Sequence, residues 1–205
     1  MIIRSLNARA IAILYFGVLI ACGDPEPDIF HRTADLLGLD LQKPTVWQFS
    51  VDDGSEESWT FTPSQVDGSH QILLQRQSTI DGIPLPNPRE DLLGIDALGL
   101  AWLRHGDCAV VAPPCRELQS APLLVRLPFP PEMEPETTDV GLLPAATGPG
   151  RLRTRGVLNG LSFELVYSWD WDGGGESTWM LESNTGLLEF TDVIAGGSPR
   201  HGSRL

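Results

Sequence analysis

The sequence predicts an all-β fold, a single antiparallel domain that forms either a β-sandwich or an open half-barrel. Three observations lead to this prediction. Apolar and polar residues alternate over short segments, which is the pattern of half-buried strands. Glycine, aspartate and asparagine separate these segments at short intervals, as in hairpin turns. After residue 44 no long segment has helical periodicity, and no repeat of fixed length points to a propeller or a solenoid.

The first predicted hairpin begins at Thr45. Its apolar residues share one parity on both sides of a turn at 52–55: Trp47, Phe49, Val51, Trp59 and Phe61. Four acidic residues occupy this turn and the strand that follows it: Asp52, Asp53, Glu56 and Glu57. We interpret them as a solvated turn cluster, because acidic residues are common at hairpin tips. Paired acids for glycoside hydrolysis are the alternative, although their spacing does not favour it.

The middle of the predicted domain is less regular. Three alternate prolines in 83–88 exclude a central strand there, because proline lacks the backbone N–H that a sheet needs. Alternation resumes at 98–102, and 123–127 is another short strand. Residues 128–150 are rich in proline, glutamate and threonine, so we predict a long exposed loop within the domain.

The clearest strand lies in the last third of the chain. Six large apolar residues share one parity: Leu161, Phe163, Leu165, Tyr167, Trp169 and Trp171. A glycine-rich turn follows, and two more strands are separated by a turn at 184–186. We therefore place the β domain at 45–195 and predict that the polar tail, 196–205, is disordered.

The first residues have the composition of an export signal. Arg4 and Arg9 precede an apolar run at 10–21 that is short for a membrane span. The run ends in the tetrapeptide 19–22, Leu-Ile-Ala-Cys, which resembles the lipobox of bacterial lipoproteins. That resemblance implies a signal peptide at 1–21, cleavage before Cys22, and a lipid anchor on Cys22. A plain secretory signal or a short membrane anchor is the alternative.

The lipobox also implies a location in the bacterial cell envelope. Gly23, rather than an aspartate, follows Cys22, and this favours the outer membrane over the inner one. Residues 22–44 would then carry the lipid, a tether and a short amphipathic helix with Asp28 as its N-cap. An irregular linker that docks a few leucines on the domain explains the same residues equally well.

Charge and cysteine content restrict the function further. The formal net charge of −13 repels nucleic acid, which we exclude as a partner. With Cys22 lipidated, Cys108 and Cys115 remain as a pair that can form a disulfide in an oxidising compartment. A metal site with His105 and Asp107 is the alternative, but two cysteines and one histidine in an exported protein favour the disulfide.

One turn carries the candidate ligand-binding residues. Trp171 stands at the end of its strand among Asp170, Asp172 and Glu176. An exposed ring beside polar groups could stack on a sugar. The three carboxylates could instead hold calcium, although the full pattern of a calcium loop is missing and turn chemistry explains them. The other five tryptophans share the parity of core residues, so we assign them to the core.

An exposed basic stripe and a loose resemblance complete the sequence evidence. Arg151, Arg153 and Arg155 share one parity; we interpret them as the charged guard of an edge strand, with binding of an anionic glycan or acidic partner as the alternative. The segments 57–61, 177–181 and 186–190 resemble a group of uncharacterised exported bacterial β-proteins. The resemblance implies a sheet wrapped into an open barrel, similar to lipoprotein carriers, without catalytic residues.

No motif for catalysis is evident. The sequence has no Gly-x-Ser-x-Gly elbow, no histidine pair at metal-ligand spacing and no phosphate-binding loop between strand and helix. We therefore predict no cofactor, no metal site and a non-enzymatic role, in which the domain binds an apolar ligand or a partner protein of the envelope, or acts structurally. A surface carbohydrate-binding module is the alternative, and an enzyme acting on polysaccharide is the third hypothesis.

Overall fold

The structure of the protein is a computed structural model. It describes residues 33–35, 37–66, 69–86, 88–96, 98–105, 116–117, 120–126, 136–142, 150–160, 162–170, 173–194 and 196–205. These residues confirm the predicted all-β class, because they form fourteen strands in one sheet. Helical structure within the described ranges is confined to 33–35. No helix among them is long and apolar enough to cross a membrane.

The strands follow the chain in hairpins. The first seven are β1 (Thr45–Val51), β2 (Glu56–Val66), β3 (Ser69–Ile80), β4 (Ile83–Pro84), β5 (Arg89–Asp96), β6 (Gly99–His105) and β7 (Arg116–Glu117). The second seven are β8 (Leu123–Arg126), β9 (Glu136–Leu142), β10 (Arg151–Asn159), β11 (Ser162–Trp169), β12 (Gly175–Glu182), β13 (Gly186–Ile194) and β14 (Arg200–Arg204).

The sheet curls into a nearly closed barrel. Its strand order is β7-β6-β5-β3-β2-β1-β14-β13-β12-β11-β10-β9, with β4 on β3 and β8 on β6. At the seam, β8 approaches the far end of the sheet: Thr154 Oγ1 donates to the carbonyl of Leu123 at 2.6 Å, and Ser120 Oγ donates to that of Val140 at 3.1 Å. Among the described residues, side chains rather than a strand ladder bridge this seam, so the sheet is an open barrel and not two separate layers.

Aromatic side chains fill the barrel. Trp47, Trp59, Trp102 and Trp179 are buried, which confirms their assignment to the core, and Trp169 is partly buried against the same cluster. The Trp59 and Trp179 ring centroids lie 5.0 Å apart, close to the edge-to-face arrangement that aromatic pairs favour. This packing follows from strand parity, because alternate residues of each strand point inward.

The segment before β1 plugs one end of the barrel. Residues 33–35 form a single helical turn, and Ala34, Leu37 and Leu39 are buried in the core. A Cβ atom on Gly186 would lie 2.4 Å from the carbonyl oxygen of Leu37, so the plug fits tightly against the turn between β12 and β13. The described part of 22–44 has a feature of each interpretation, a helical turn at 33–35 and leucines docked on the barrel, while 22–32 and 36 lie outside the described residues. We call this end the plugged end.

The prediction of a disordered tail is wrong. Arg200–Arg204 is β14, which pairs with β1 on one side and with β13 on the other. Its sequence shows no apolar alternation, because its buried position is Gly202, beneath the Phe190 ring. A Cβ atom at Gly202 would lie 2.3 Å from that ring, so the partner strand supplies the apolar contact that the tail lacks.

The predicted loop at 128–150 also contains a strand. Within it, Glu136–Leu142 is β9, which pairs with β10 over its whole length. Most of its side chains are exposed or half-buried. Because backbone pairing with β10 rather than an apolar face fixes this strand, its side chains gave no alternating signal.

Candidate functional site

The end of the barrel opposite the plug has a charged interior. Here the β1–β2 turn, the β3–β4 hairpin and the β11–β12 connection leave the sheet, and we call it the pocket end. Ionisable residues occupy inward positions of four strands: Glu57 on β2, Arg76 on β3, Asp192 on β13 and Arg200 on β14. We call these four residues the buried charge network. The apolar core lies directly beneath them.

Arg76 is at the centre of the network. Its side chain is 4% exposed, and its Nε donates to Glu57 Oε1 at 2.7 Å while Nη2 donates to Asp192. The guanidinium carbon lies 4.1 Å from the centroid of the Trp59 ring, a cation–π contact. The third nitrogen, Nη1, has no hydrogen-bond partner among the described residues. A buried donor without an acceptor costs about 1–3 kcal/mol.

Arg200 closes the network from the side of β14. Its Nη1 donates to Glu57 Oε2 and its Nε to Asp53 at 2.8 Å. Its Nη2 donates to Ser55 Oγ at 2.9 Å and to Ser78 Oγ at 3.3 Å. Glu57 therefore bridges two arginines, one through each carboxylate oxygen.

Neutral donors hold the two carboxylates in place. Trp59 Nε1 donates to Glu57 Oε1 at 2.7 Å, within the same strand. Ser177 Oγ donates to Asp192 Oδ1 and accepts from Trp179 Nε1 at 3.1 Å. Both oxygens of each carboxylate are thus engaged by protein groups, and the acids serve to hold the arginines.

A third arginine lies beside the network. Arg89 on β5 is the register partner of Arg76 on β3, so the two side chains lie on the same face of neighbouring strands. Arg89 Nη2 donates to Tyr167 Oη at 3.2 Å, and its guanidinium carbon lies 5.5 Å from the Trp169 ring centroid. Its Nε lies 3.4 Å from Asp91. The arginine is therefore held among aromatic rings at the wall of the barrel.

These groups line an open pocket of about 220 Å³, which we call the arginine pocket. Its lining consists of Glu57, Arg76, Gln77, Ser78, Leu85, Pro86, Arg89, Asp192, Ile194 and Arg200. Three arginines and two carboxylates belong to this lining, and Asp53 and Asp91 pair with Arg200 and Arg89 from outside it. Leu85 and Ile194 are exposed and form an apolar mouth.

The ionisation states in the pocket are fixed. Burial raises the pKa of Glu57, but the charges of Arg76 and Arg200 outweigh it and bring the pKa below its usual value. The same balance holds for Asp192. Burial raises its pKa, but the charge of Arg76 lowers it by more, so the pKa also lies below its usual value. Both carboxyls therefore stay ionised at neutral pH, and neither has the raised pKa that a general acid needs.

The turn that the sequence marks as a candidate ligand site lies at the same end of the barrel. Asp170 is exposed, and its Oδ1 accepts a hydrogen bond from the backbone N–H of Arg151 at 2.6 Å. Glu176 is exposed at the start of β12. Within the described residues no three His, Cys, Asp or Glu side chains are grouped so that they could hold a metal ion. Trp171 and Asp172 lie outside the described residues, as do Cys22, Cys108 and Cys115.

Two surface interpretations need correction. The cluster at 52–57 is not simply a solvated turn: Asp52 and Glu56 are exposed, but Glu57 is buried with 2% of its side chain accessible. The arginine stripe is exposed as predicted, but β10 pairs with β9 and β11 and is not an edge strand. Charges on β10 therefore do not guard a free edge.

The alternation of residues along β2 and β3 could have predicted two members of the buried charge network. Glu57 shares the inward parity of Trp59 and Phe61, and Arg76 shares that of Leu74. Ionisable residues on an apolar face indicate buried ion pairs, because an isolated charge is too costly to bury.

No protein-family model matches the chain, and no curated protein or solved structure matches it either.

Proposed function

We propose that the protein is a lipid-anchored protein of the bacterial cell envelope whose β domain binds a small polar ligand in the arginine pocket without catalysis. The observation that carries this proposal is the arginine pocket, whose lining contains three arginines and includes Arg76, with its buried Nη1 unpartnered among the described residues. Protein interiors satisfy such groups, and a pocket with convergent polar donors is the usual form of a binding site.

The pocket supports binding over acid–base catalysis. Glu57 and Asp192 are the two carboxylates in its lining, and both have lowered pKa values. Each is also bonded through both oxygens, so neither is placed to deliver or accept a proton during a reaction. Their evident role is to orient the arginines.

The packing of the core supports a polar ligand over the apolar one that the sequence suggested. Trp59, Trp102 and Tyr167 are fully buried. The Trp102 ring contacts Tyr167, and the Trp59 and Trp102 rings both contact Trp179. This interior is occupied by side chains, whereas the arginine pocket opens to solvent. A partner protein of the envelope remains compatible, since a chain end or loop of such a partner can supply the ligand group.

The anchor would hold the pocket away from the membrane. The tether from Cys22 reaches the barrel at Thr33, which is buried at the plugged end. Fully extended, this tether spans at most about 40 Å. The pocket lies at the opposite end, so the domain would present its ligand site to the space beyond the membrane surface. Gly23 after Cys22 favours the outer membrane.

Surface carbohydrate binding is the second candidate. One observation favours it: the β11–β12 connection, which contains Trp171, leaves the barrel at the pocket end, and Trp169 is partly buried beside Arg89. Arginines and carboxylates are good partners for sugar hydroxyls. A glycan binder would use the pocket and this turn together, and replacing Trp171 by alanine would then abolish its retention on the glycan.

Lipidation is tested with the full chain expressed in a bacterium that is fed radiolabelled palmitate. We expect the label in the membrane fraction for the natural chain and its complete loss in Cys22→Ser. Cys108→Ser is the matched control and should keep the label. Label that persists in Cys22→Ser would contradict the anchor.

In the same preparation, a thiol reagent should leave Cys108 and Cys115 unmodified without reduction if they form the proposed disulfide.

Binding is tested by thermal unfolding of the lipidated chain in detergent micelles. The panel contains acetate, 3-methylbutanoate, inorganic phosphate, free amino acids, glucose and maltose. We expect at least one of these classes to raise the unfolding temperature of the natural chain, and the shift to disappear in Arg76→Met. Arg155→Met, on the exposed face of β10, should keep it. No shift with any class would contradict the proposed function.

A further inference from the structure

The arginine stripe lies in the middle of an outer surface of the barrel. Arg151, Arg153 and Arg155 occupy alternate positions of β10 and are exposed, whereas the residues between them, Leu152 and Thr154, are buried. β10 pairs with β9 on one side and with β11 on the other. Protection of a free edge therefore does not explain why three arginines stand in this line.

In the part of the chain that the structure describes, the three guanidinium groups of the stripe form no ion pair and no hydrogen bond. The arginines inside the barrel differ from them, because Arg76, Arg89 and Arg200 each contact a carboxylate. Like charges in a line repel one another, and an anionic partner relieves this repulsion. The stripe is therefore a surface that is prepared for negative charge.

The residues directly opposite the stripe on the neighbouring strands are neutral. They are Thr138, Val140 and Leu142 on β9 and Val166 and Ser168 on β11. The positive charge of the stripe is thus not balanced by its cross-strand neighbours.

Acidic residues border the stripe without pairing with it. Within the described ranges, these residues form no ion pair with the arginines of the stripe: Glu136, Glu164, Asp170 and Glu176. They confine the positive surface to β10 itself. A partner therefore has to place its negative charges along this strand rather than across its neighbours.

The spacing of the arginines favours an extended polypeptide as that partner. Alternate residues of a strand are about 7 Å apart, and alternate side chains of an extended acidic segment repeat at the same interval. Each carboxylate can then pair with one guanidinium, which arginine binds through two parallel hydrogen bonds. Val140 and Leu142 are exposed beside Arg153 and Arg151, and they offer apolar contact to the same segment.

We infer that the arginine stripe binds an extended acidic segment of a partner protein, in which carboxylates at alternate positions pair with Arg151, Arg153 and Arg155. The stripe faces outward and the arginine pocket lies inside the barrel, so this inference does not rest on the proposed ligand binding. A chain with a formal net charge of −13 repels acidic segments over most of its surface. The stripe therefore also determines where such a partner docks.

Fluorescence anisotropy of labelled peptides tests this inference with the full chain in nonionic detergent micelles. The first peptide has three glutamates that alternate with threonine and valine. The second has the same composition with its glutamates adjacent, and the third has glutamine in place of each glutamate. We expect the alternating peptide to bind most tightly, the adjacent one more weakly and the glutamine peptide not at all. Labelled polygalacturonate serves as the anionic glycan probe.

Variants of exposed residues assign the binding to the stripe. Arg153→Gln should weaken binding of the alternating peptide about 2- to 5-fold, the scale of one exposed ion pair. Replacement of all three arginines by glutamine should weaken it at least about 10-fold. Lys43→Gln removes one positive charge from another exposed site and is the matched control, which should bind like the natural chain. Surface substitutions of this kind leave the fold intact.

Each outcome decides the inference. Preference for the alternating peptide, together with its loss in the stripe variants, supports it. Equal binding of the two glutamate peptides would show that spacing plays no part and would overturn it. Polygalacturonate that binds while the peptides fail would overturn it in favour of an anionic glycan, and no binding of any probe would reduce the stripe to a solvated surface. The stripe variants should keep every thermal shift that ligands of the arginine pocket produce, so failure here leaves the proposed function standing.

Discussion

Two acidic hairpin connections at one end of the barrel have similar sequences and different roles. The β1–β2 turn leads into Glu57, which is buried between two arginines. The β11–β12 connection is flanked by Asp170 and Glu176, which are both exposed. The difference lies in strand parity: Glu57 points inward with Trp59, whereas Glu176 shares the outward parity of its strand. Acidic composition alone does not separate a buried ion pair from an exposed turn.

The largest difference between the two regions should appear when one carboxylate of each is neutralised. Glu57→Gln leaves Arg76 and Arg200 without their shared counter-charge in a buried site. Removal of one partner of a buried ion pair typically costs about 3–5 kcal/mol of unfolding free energy. Glu176→Gln, at the exposed start of β12, should change it by less than about 0.5 kcal/mol.

Urea unfolding followed by tryptophan fluorescence measures both values. The two variants share the same chemical change and differ only in burial, so Glu176→Gln serves as the matched control. Equal effects of the two substitutions would mean that Glu57 is solvated in the folded protein, as its place beside an acidic turn suggests. The two acidic connections would then not differ in the burial of their carboxylates.

Much of the fold could be predicted from the sequence, because packing produces a periodic signal. The strands around Trp59 and Tyr167 alternate strictly, and their tryptophans lie in the core as predicted. Two strands gave no such signal. Gly202 in β14 has no side chain, and its contact comes from Phe190 on the neighbouring strand. β9 is fixed by backbone pairing with β10, which side-chain composition does not report.

The site could be predicted only in part. The β11–β12 connection, which lies at the pocket end, could be selected because a tryptophan among acids is visible in one short segment. The buried charge network combines β2, β3, β13 and β14, with Glu57 and Asp192 far apart in the chain. Such a constellation becomes evident only when the strand order is known. Inward parity of Glu57 and Arg76 was the one local sign of it.

A smaller and qualitatively different effect is expected from the glycines of the two connections. Gly175 is the register partner of Trp169, and a Cβ atom there would lie 2.3 Å from that ring. Gly175→Ala should therefore displace the ring and cost about 1–3 kcal/mol through overpacking. Gly54 has a φ of +83°, and a Cβ atom added to it would meet no other atom within 4 Å. Gly54→Ala should therefore cost only backbone strain, about 1–2 kcal/mol.

Near-ultraviolet circular dichroism separates these two causes. Only Gly175→Ala should alter the aromatic spectrum of the folded protein, since only there does a ring move. Gly54→Ala should keep the natural spectrum while it lowers the midpoint of urea unfolding. An unchanged spectrum in both variants would show that the position of the Trp169 ring does not depend on Gly175.

The smallest effect should be the acid dependence of the first turn. Hydrogen bonds from Ser55, together with Arg200, lower the pKa of Asp53 from 3.8 to about 2 in the folded protein. A carboxyl whose pKa is lower in the folded state stabilises it fully above the pKa of the unfolded chain. This contribution should therefore be complete above about pH 4 and disappear as the pH falls through about 2.

Asp53→Asn should accordingly reduce the slope of stability against pH between about pH 4 and pH 2, and leave the slope between about pH 5 and pH 7 unchanged. Urea unfolding at half-unit pH steps measures both intervals. Asp170→Asn is the matched control, because the Asp170 carboxylate also accepts a backbone hydrogen bond but, within the described part of the chain, forms no ion pair with an arginine. If Asp53→Asn keeps the natural slope below pH 4, Asp53 does not hold Arg200, and that arginine is held by Glu57, Ser55 and Ser78 instead.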